Sequence, residues 1–577
     1  MKHNLLTRRL FCLAILLTGS FTLSMNQADP DLWGHVQYGK EVLTKRAVPE
    51  KVTWTFTTPD SPWVNHENLT EIALAAVDSH AGGFGLGVAK FLMGFGLLAL
   101  IWWHSDTREV SPIISGFLVL LTAVCIQFHW HFRPQVFGYL FFAMMLSLLS
   151  RAFAEWEDAN LGWLGLPVSI KDRLEKFLGR TQQPPPVTVE SVGPKRERRQ
   201  ISLLWGMIPL FAAWTNSHGG FAAGLGIFGV YMVGRMLEAR AWWGPEAWPL
   251  IKRLALLTFG AALATGYNPY GFRLHVWLVE DVFMPRPEIG DWERLPLLTS
   301  EALPAWLLFG TMLVSILFTA RQWDLPRLVI LLATTQQAIS HIRHLPFLAI
   351  LCGFWLPTHL ESVRRRLFSP NLASVEIEPV EPQPVWPRIV LIAWIAVISG
   401  KLYPRITSVQ VDRSQYPVAA MRYVKEQHLS GKFVVTFNWA QYALNSFAQF
   451  SPESRVAFDG RLRTCYPQEV IDVYFDFIFG RGPWPRWRSP KSGPLDPAAA
   501  LNFGDPDFVL LSREQVPSVQ TMQAHANEWT LLYQDSLSQL WGRTSRYGDP
   551  HSPDFIAETR RRVGDERQAG LVPWPAN

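Results

Sequence analysis

Long apolar runs recur through this chain of 577 residues, and strongly polar blocks separate them. No other property limits its fold so strongly, because apolar segments of roughly 17–25 residues are of the length that crosses a bilayer as helices. About eleven such spans are expected, some shorter than that norm where the flanks agree. They fall near 10–25, 84–103, 112–128, 135–150, 201–215, 219–237, 254–268, 303–320, 327–340, 345–359 and 388–403. The mean hydropathy of +0.08 hides this pattern, since it averages the runs with the blocks between them. The 26 Trp and 36 Phe residues fit a chain that meets headgroups and hydrocarbon.

Lys and Arg set the expected orientation. The N terminus carries Lys2, Arg8 and Arg9. The block 152–200 is rich in Lys and Arg, and Arg235, Arg240, Lys252 and Arg253 flank another basic loop. Arg321 and Arg327 bracket a third, and Arg364, Arg365 and Arg366 mark the last. Every second loop is basic, so the N terminus is expected in the cytoplasm. With an odd number of spans, residues 404–577 lie on the far side. The net charge of +5 comes from these loops and gives no nucleic-acid signal. The first apolar run reads as an uncleaved signal anchor, because Asn26-Gln27-Ala28 is a poor cleavage site and many further spans follow. Cys12, Cys125 and Cys352 lie in apolar runs, so with Cys465 they form no readable disulfide framework. The expected architecture is mainly α: a polytopic membrane helix bundle over 1–403, with a long first outer loop at 26–83 and a cytoplasmic linker at 152–200. An extracytoplasmic α/β domain over 404–577 follows. Its tail beyond about residue 545 is charged, Pro-containing and expected to be loose. A helix near 171–180 is expected to lie on the membrane.

The loops assigned to the outer side differ in kind. They hold Asp29-Pro30-Asp31, His129-Trp130-His131-Phe132-Arg133, Asn216-Ser217-His218-Gly219-Gly220, Asn268-Pro269-Tyr270-Gly271 and His341-Ile342-Arg343-His344. Polar turns explain each motif singly; their shared side is what suggests a site. In the first outer loop, helices are expected from Asp31 to Leu43 and after Asn68, with a short strand at 53–57. Asp29, Asp31, His35, His66 and Glu67 can then converge. A carboxylate there can accept a proton from a hydroxyl or bind a divalent cation, so Asp29 and Asp31 are candidate catalytic and metal-binding groups. Helix capping is the competing reading for both, and a structural role competes for His66 and Glu67. Arg133 can fork onto a phosphate or snorkel to headgroups. Arg343, held between His341 and His344 close to hydrocarbon, calls for a lipid phosphate or an acid such as Asp31 as partner. His218 with Gly219 and Gly220 allows close approach to a ligand or tight helix packing.

The sequence Asp29-Pro30-Asp31-Leu32-Trp33-Gly34-His35, with Trp63-Val64-Asn65-His66-Glu67, Arg133-Pro134-Gln135 and Arg343-His344, resembles a bacterial multi-pass family of the GT-C glycosyltransferase kind. Protein O-mannosyltransferases, the aminoarabinose transferase of lipid A and the oligosaccharyltransferase catalytic subunit are relatives. The resemblance implies inverting transfer of a sugar from a polyprenyl-phosphate donor outside the cytoplasmic membrane. Asp29 or Asp31 would be the catalytic carboxylate, with His66 and Glu67 as further acid/base candidates. Arg133 or Arg343 would neutralise the leaving phosphate, and His35, His218 and His344 would line the substrate. Partners would be the lipid-linked sugar and membrane lipid; metal dependence varies among such enzymes. The Trp-Trp-Asp acceptor motif is absent, and Gly34 stands where a second Trp is usual. The competing readings are a membrane scaffold and a transporter or flippase; no inverted repeat or charge in the middle of a span supports the latter.

Overall fold

A computed structural model describes residues 2–107, 109–154, 156, 198–282, 284–321, 323–368, 385–482 and 486–577. Most of the basic block 152–200, including the surface helix expected near 171–180, lies outside them.

Helices stand at all of the expected spans. The first part of the bundle is α1 (Lys2–Thr22), α2 (Leu32–Lys45), α3 (Asn68–Ser105), α4 (Pro112–Ile126) and α5 (Pro134–Ala152). Further helices follow at Met207–Thr215, Phe221–Trp243, Trp248–Ala264, Leu303–Phe318, Leu325–Ser340, Leu345–Trp355 and Trp386–Ile406. Among the described residues, seven helical stretches are long and apolar enough to cross a membrane, and Phe221–Ala264 counts as one of them. The short helix Leu345–Trp355 is buried along its whole length and packs on α4 and Leu325–Ser340, so it forms the centre of the bundle. At the rim, Trp386–Ile406 turns Ile389, Val390, Ile392, Trp394 and Val397 outward. Exposed apolar rows of this kind are what a lipid-facing helix presents, its backbone groups being satisfied within the helix.

Chain connectivity puts the two loop classes at opposite ends of the bundle. At one end Arg8 pairs with Asp106, Arg321 donates to Glu109 at 2.9 Å, and Arg364 and Arg365 hold Glu361 at 2.6 and 2.9 Å. The His-, Asp- and Asn-containing loops gather at the other end, under the C-terminal domain.

The first outer loop is folded onto that domain. Ala28 donates to Gln410 O at 2.8 Å and Val456 N to Trp54 O at 3.0 Å, while Val64 N bonds Thr464 O at 3.2 Å. The expected strand at 53–57 is only an isolated bridge between Thr55 and Val456, with Trp54 at a φ of +66°. A left-handed residue breaks the regular extension that a strand requires. The helix expected after Asn68 and the span from 84 form one element, α3, broken at Gly82, whose φ of +54° suits a residue without Cβ.

Residues beyond 407 form an α/β domain, as the alternating pattern predicts. A six-stranded sheet has the order β3-β2-β4-β6-β5-β7, comprising β2 (Lys432–Val435), β3 (Arg455–Val456), β4 (Phe508–Ser512), β5 (Trp529–Gln534), β6 (Ser538–Arg543) and β7 (Arg562–Val563). β2 runs parallel to β3 and β4, and β6 antiparallel to β4 and β5. Helix Phe437–Phe450 packs on α2 and so brings the domain against the first outer loop. The tail expected to be loose is docked instead. β1 (Gln410–Asp412) pairs with β8 (Leu571–Pro573), and Trp574 is buried against Trp33 at 4.9 Å. Trp33 Nε1 donates to Pro575 O at 3.0 Å, and Tyr442 Oη to Ala576 O at 2.7 Å. Aromatic burial at a few positions thus outweighs a charged average composition.

Candidate active site

Two aspartates and one arginine form the centre of the end that lies under the C-terminal domain. Arg133 Nε donates to Asp29 Oδ1 at 2.6 Å, and its Nη1 lies 3.2 Å from Asp31 Oδ2. Each residue is presented by an element boundary. Asp29 and Asp31 stand between α1 and α2, and Arg133 directly precedes Pro134, which opens α5. Asp31 occupies the N-cap position of α2, yet its side chain makes no capping hydrogen bond. Capping therefore does not account for it. Asp29 accepts the Asp31 backbone N–H at 3.0 Å, which fixes the turn, and His131 Nδ1 is 3.7 Å from its other oxygen.

The two carboxylates differ in environment. Asp29 is almost fully buried, its side chain 3% exposed. Burial pushes its carboxyl up, but Arg133 and then His131 outweigh this and hold it below the usual range. Asp31 keeps 27% of its side chain within reach of water, inside a dense surround of protein. Its carboxyl is raised, by burial first, with Asp29 and Asp459 adding and Arg133 and His35 opposing. One carboxylate is thus set as a fixed anion and the other as a better proton acceptor.

A second group adjoins them. His35, on α2, reaches Glu71 of α3 through Nδ1 at 3.4 Å, and Asn65 Nδ2 donates to the other Glu71 oxygen at 2.7 Å. Burial disfavours the charged imidazole, but Glu71, Glu67 and Asp31 together raise its pKa. The Glu67 carboxyl is raised by burial, against the pull of His66 and His35. His66 Nε2 stands 3.9 Å from Glu67 Oε1. His218 Nδ1 accepts the Gly220 N–H at 3.0 Å, and burial, then Arg343, keeps this imidazole far on the neutral side. The turn at Asn268 braces the loop: Tyr270 Oη accepts Asn65 N–H at 2.8 Å and donates to Trp63 O at 3.0 Å.

Arg343 completes the set and differs from Arg133. Among the described residues it carries no ion pair; its guanidinium lies over Trp292 at 4.5 Å, and Arg286 lies over the same ring at 4.7 Å. Asp31, the acid suggested as its partner, is taken by Arg133. Burial lowers the pKa of Arg343, and neighbouring His344 is pulled down to about 4, by burial first and then by Arg343. Asp291, Glu67 and Tyr139 lie near enough to oppose the effect on Arg343.

All nine candidate residues therefore come to one end of the bundle. Sequence reasoning missed Glu71 and gave Asn65 no role of its own. Glu71 had one available signal: it is an acid at the head of a long apolar helix. Asp459-Gly460-Arg461, next to the site, forms a turn closed by an ion pair. Arg461 Nη2 donates to Asp459 Oδ2 at 2.8 Å and to Thr53 O at 2.6 Å, and it lies over Tyr38 and Trp63 at 4.6 and 4.8 Å. Asp29 and Asp31 do not offer a cation site as they stand. Arg133 already bridges them, and among the described residues no group of three His, Cys, Asp or Glu side chains converges to hold a metal ion.

No protein-family model matches the sequence, and no curated protein matches it. Solved structures do. The chain is similar to the archaeal oligosaccharyltransferase AglB from Archaeoglobus fulgidus in complex with an inhibitory peptide and a dolichol-phosphate. The TM-score is 0.51 at 11% identity, over 88% of this chain and 70% of that one. A structure of the Archaeoglobus fulgidus oligosaccharyltransferase tethered with an acceptor peptide gives 0.51 at 11% identity, over 90% and 72%. ArnT from Cupriavidus metallidurans bound to undecaprenyl phosphate gives 0.47 at 13%, over 92% and 97%. The bundle with its α/β domain shares the fold of the Archaeoglobus fulgidus oligosaccharyltransferase.

Proposed function

We propose that this chain is an integral-membrane glycosyltransferase that moves a sugar from a polyprenyl-phosphate donor to an acceptor on the extracytoplasmic face. The observation that carries this reading is the division of labour at the outer end. Asp29 and Arg133 form a fixed pair, Asp31 is left as a raised, water-accessible carboxylate, and Arg343 is a cation without a carboxylate partner. An unpaired guanidinium close to hydrocarbon suits a lipid phosphate. AglB, whose fold this chain shares, was solved with a dolichol-phosphate.

In this reading Asp31 accepts the proton of the acceptor nucleophile. The acceptor atom bonds to the anomeric carbon, the bond from that carbon to the phosphate oxygen breaks, and the electron pair leaves with the polyprenyl phosphate. Arg343 takes the growing negative charge, and His344, neutral near pH 7, can donate a hydrogen bond to it. Asp29 holds Arg133, and Arg133 in turn holds Asp31 Oδ2. The N terminus lies in the cytoplasm and the C-terminal domain outside, in accord with the basic loops gathered at the opposite end.

Native mass spectrometry of the detergent-purified protein tests the donor. A polyprenyl phosphate, bare or sugar-charged, is expected to remain bound and to be lost in Arg343→Ala. Only bulk phospholipid in both samples would overturn the donor assignment.

A further inference from the structure

Helix Phe437–Phe450 of the C-terminal domain carries a buried amide into the site. Gln441 is 4% exposed, and its Oε1 has no hydrogen-bond partner. A buried polar atom without a partner costs free energy and calls for a reason. Two glycines from different parts of the chain make room for this side chain. A Cβ on Gly34, in α2, would collide with Gln441 Oε1. A Cβ on Gly460, in the turn after β3, would stand 2.6 Å from Gln441 Nε2 and 2.5 Å from Asp31 Oδ1. The amide nitrogen and that carboxylate oxygen are therefore close neighbours across the space that Gly460 leaves open. Gly34 is also the position where a Trp is usual in the family that the sequence resembles; here Gln441 fills that space.

The two Asp31 oxygens face different surroundings. Oδ2 faces Arg133 at 3.2 Å. Oδ1 borders the space beside Gly460, and the Gln441 amide nitrogen borders the same space. We propose that Gln441 is a positioning residue of the catalytic centre, its carboxamide aiming Asp31 Oδ1 at the acceptor while Arg133 holds Oδ2. The C-terminal domain is then a working part of the site and not a cover over it. This inference rests on the reading of Asp31 as the catalytic carboxylate. Arg133, Asp29, His35 and Asp459 are the other charged groups that act on Asp31, and none of them changes when Gln441 is replaced.

The test compares full-length wild type, Gln441→Met and Gln441→Glu in detergent. Methionine keeps the length and loses the amide. The first measurement is carbodiimide-driven coupling of glycine ethyl ester to Asp31, followed by peptide mass spectrometry across pH. Removing a polar N–H group from beside a carboxylate raises its pKa, so in Gln441→Met the labelling midpoint is expected to move up by at least about half a pH unit. Sugar transfer from the donor recovered with the protein is expected to lose about tenfold or more in kcat with KM for the donor little changed. Gln441→Glu, which puts a second carboxylate beside the first, should raise the midpoint further. Superimposable labelling curves for wild type and both variants would overturn the proposal. If Asp31→Asn keeps full transfer, the catalytic reading of Asp31 fails instead, and the labelling curves still decide whether Gln441 acts on it.

Discussion

Arg133 Nε and Asp29 Oδ1 meet at 2.6 Å across 104 residues of sequence. This bond ties the loop after α1 to the start of α5, and it makes Asp29 a stabilising group as long as it is ionised. The folded-state pKa is depressed, so the stabilisation is present above the unfolded value, near about 4, and is lost as pH falls through the folded value. Wild type should therefore lose melting temperature below about pH 4 more steeply than Asp29→Asn. At neutral pH that variant should be less stable by about 1–3 kcal/mol. Thermal melts across pH 3–7 check both.

Asp31→Asn removes the proton acceptor with little change of shape. Expression, melting temperature and bound polyprenyl phosphate should stay near wild type. Transfer should fall by about 10²–10⁴-fold, the range that general-base groups supply. Single-turnover transfer from the co-purified donor is the measurement.

Gly460 has an ordinary backbone conformation, so only space restricts it. Gly460→Ala would place a methyl carbon 2.5 Å from Asp31 Oδ1, and something must move. The expected result is a stability cost of about 1–3 kcal/mol with a loss of transfer well beyond it. Equal small losses in both would show that the neighbourhood yields freely.

Arg343→Ala should separate binding from folding in the opposite sense to Asp29→Asn. The removed charge has no ion pair among the described residues, and its contact with Trp292 contributes only about 0.5–2 kcal/mol. Melting should change little, while the bound polyprenyl phosphate disappears from the native mass spectrum.

His35 titrates in the other direction from Asp29. Its pKa is raised, so its contribution is full below the unfolded value near about 6.5 and is lost as pH rises through the folded value. His35→Gln should flatten the decline in melting temperature above that pH. An unchanged slope would assign the decline to another group.

Much of this arrangement is readable in the chain because two independent signals coincide. Lys and Arg mark one set of loops, and the His, Asp and Asn motifs mark the other; the bundle does bring Asp29, Asp31, Arg133, His218 and Arg343 to one end. The spans are legible because their composition is demanded by the solvent around them. Pairings are not. Nothing in a list of residues tells that Arg133 takes Asp31 and leaves Arg343 over Trp292, because side-chain geometry decides it. Gln441 was invisible for another reason: an amide in a helix of a separate domain has no local pattern, and only the spaces at Gly34 and Gly460 reveal its role. The docked tail was misread because one buried residue, Trp574, and the contacts of Pro575 and Ala576 count for little in a charged average.

Trp33 sits two residues beyond Asp31, and its indole N–H binds the carbonyl of Pro575, 542 positions further along. During synthesis the loop that bears the carboxylates therefore precedes by 542 positions the carbonyl that pins it. Until residue 575 has docked, the charged centre lacks this brace. A nascent chain with every span already made would still lack this brace, so the geometry around Asp29 and Asp31 is completed only when the C-terminal domain has folded.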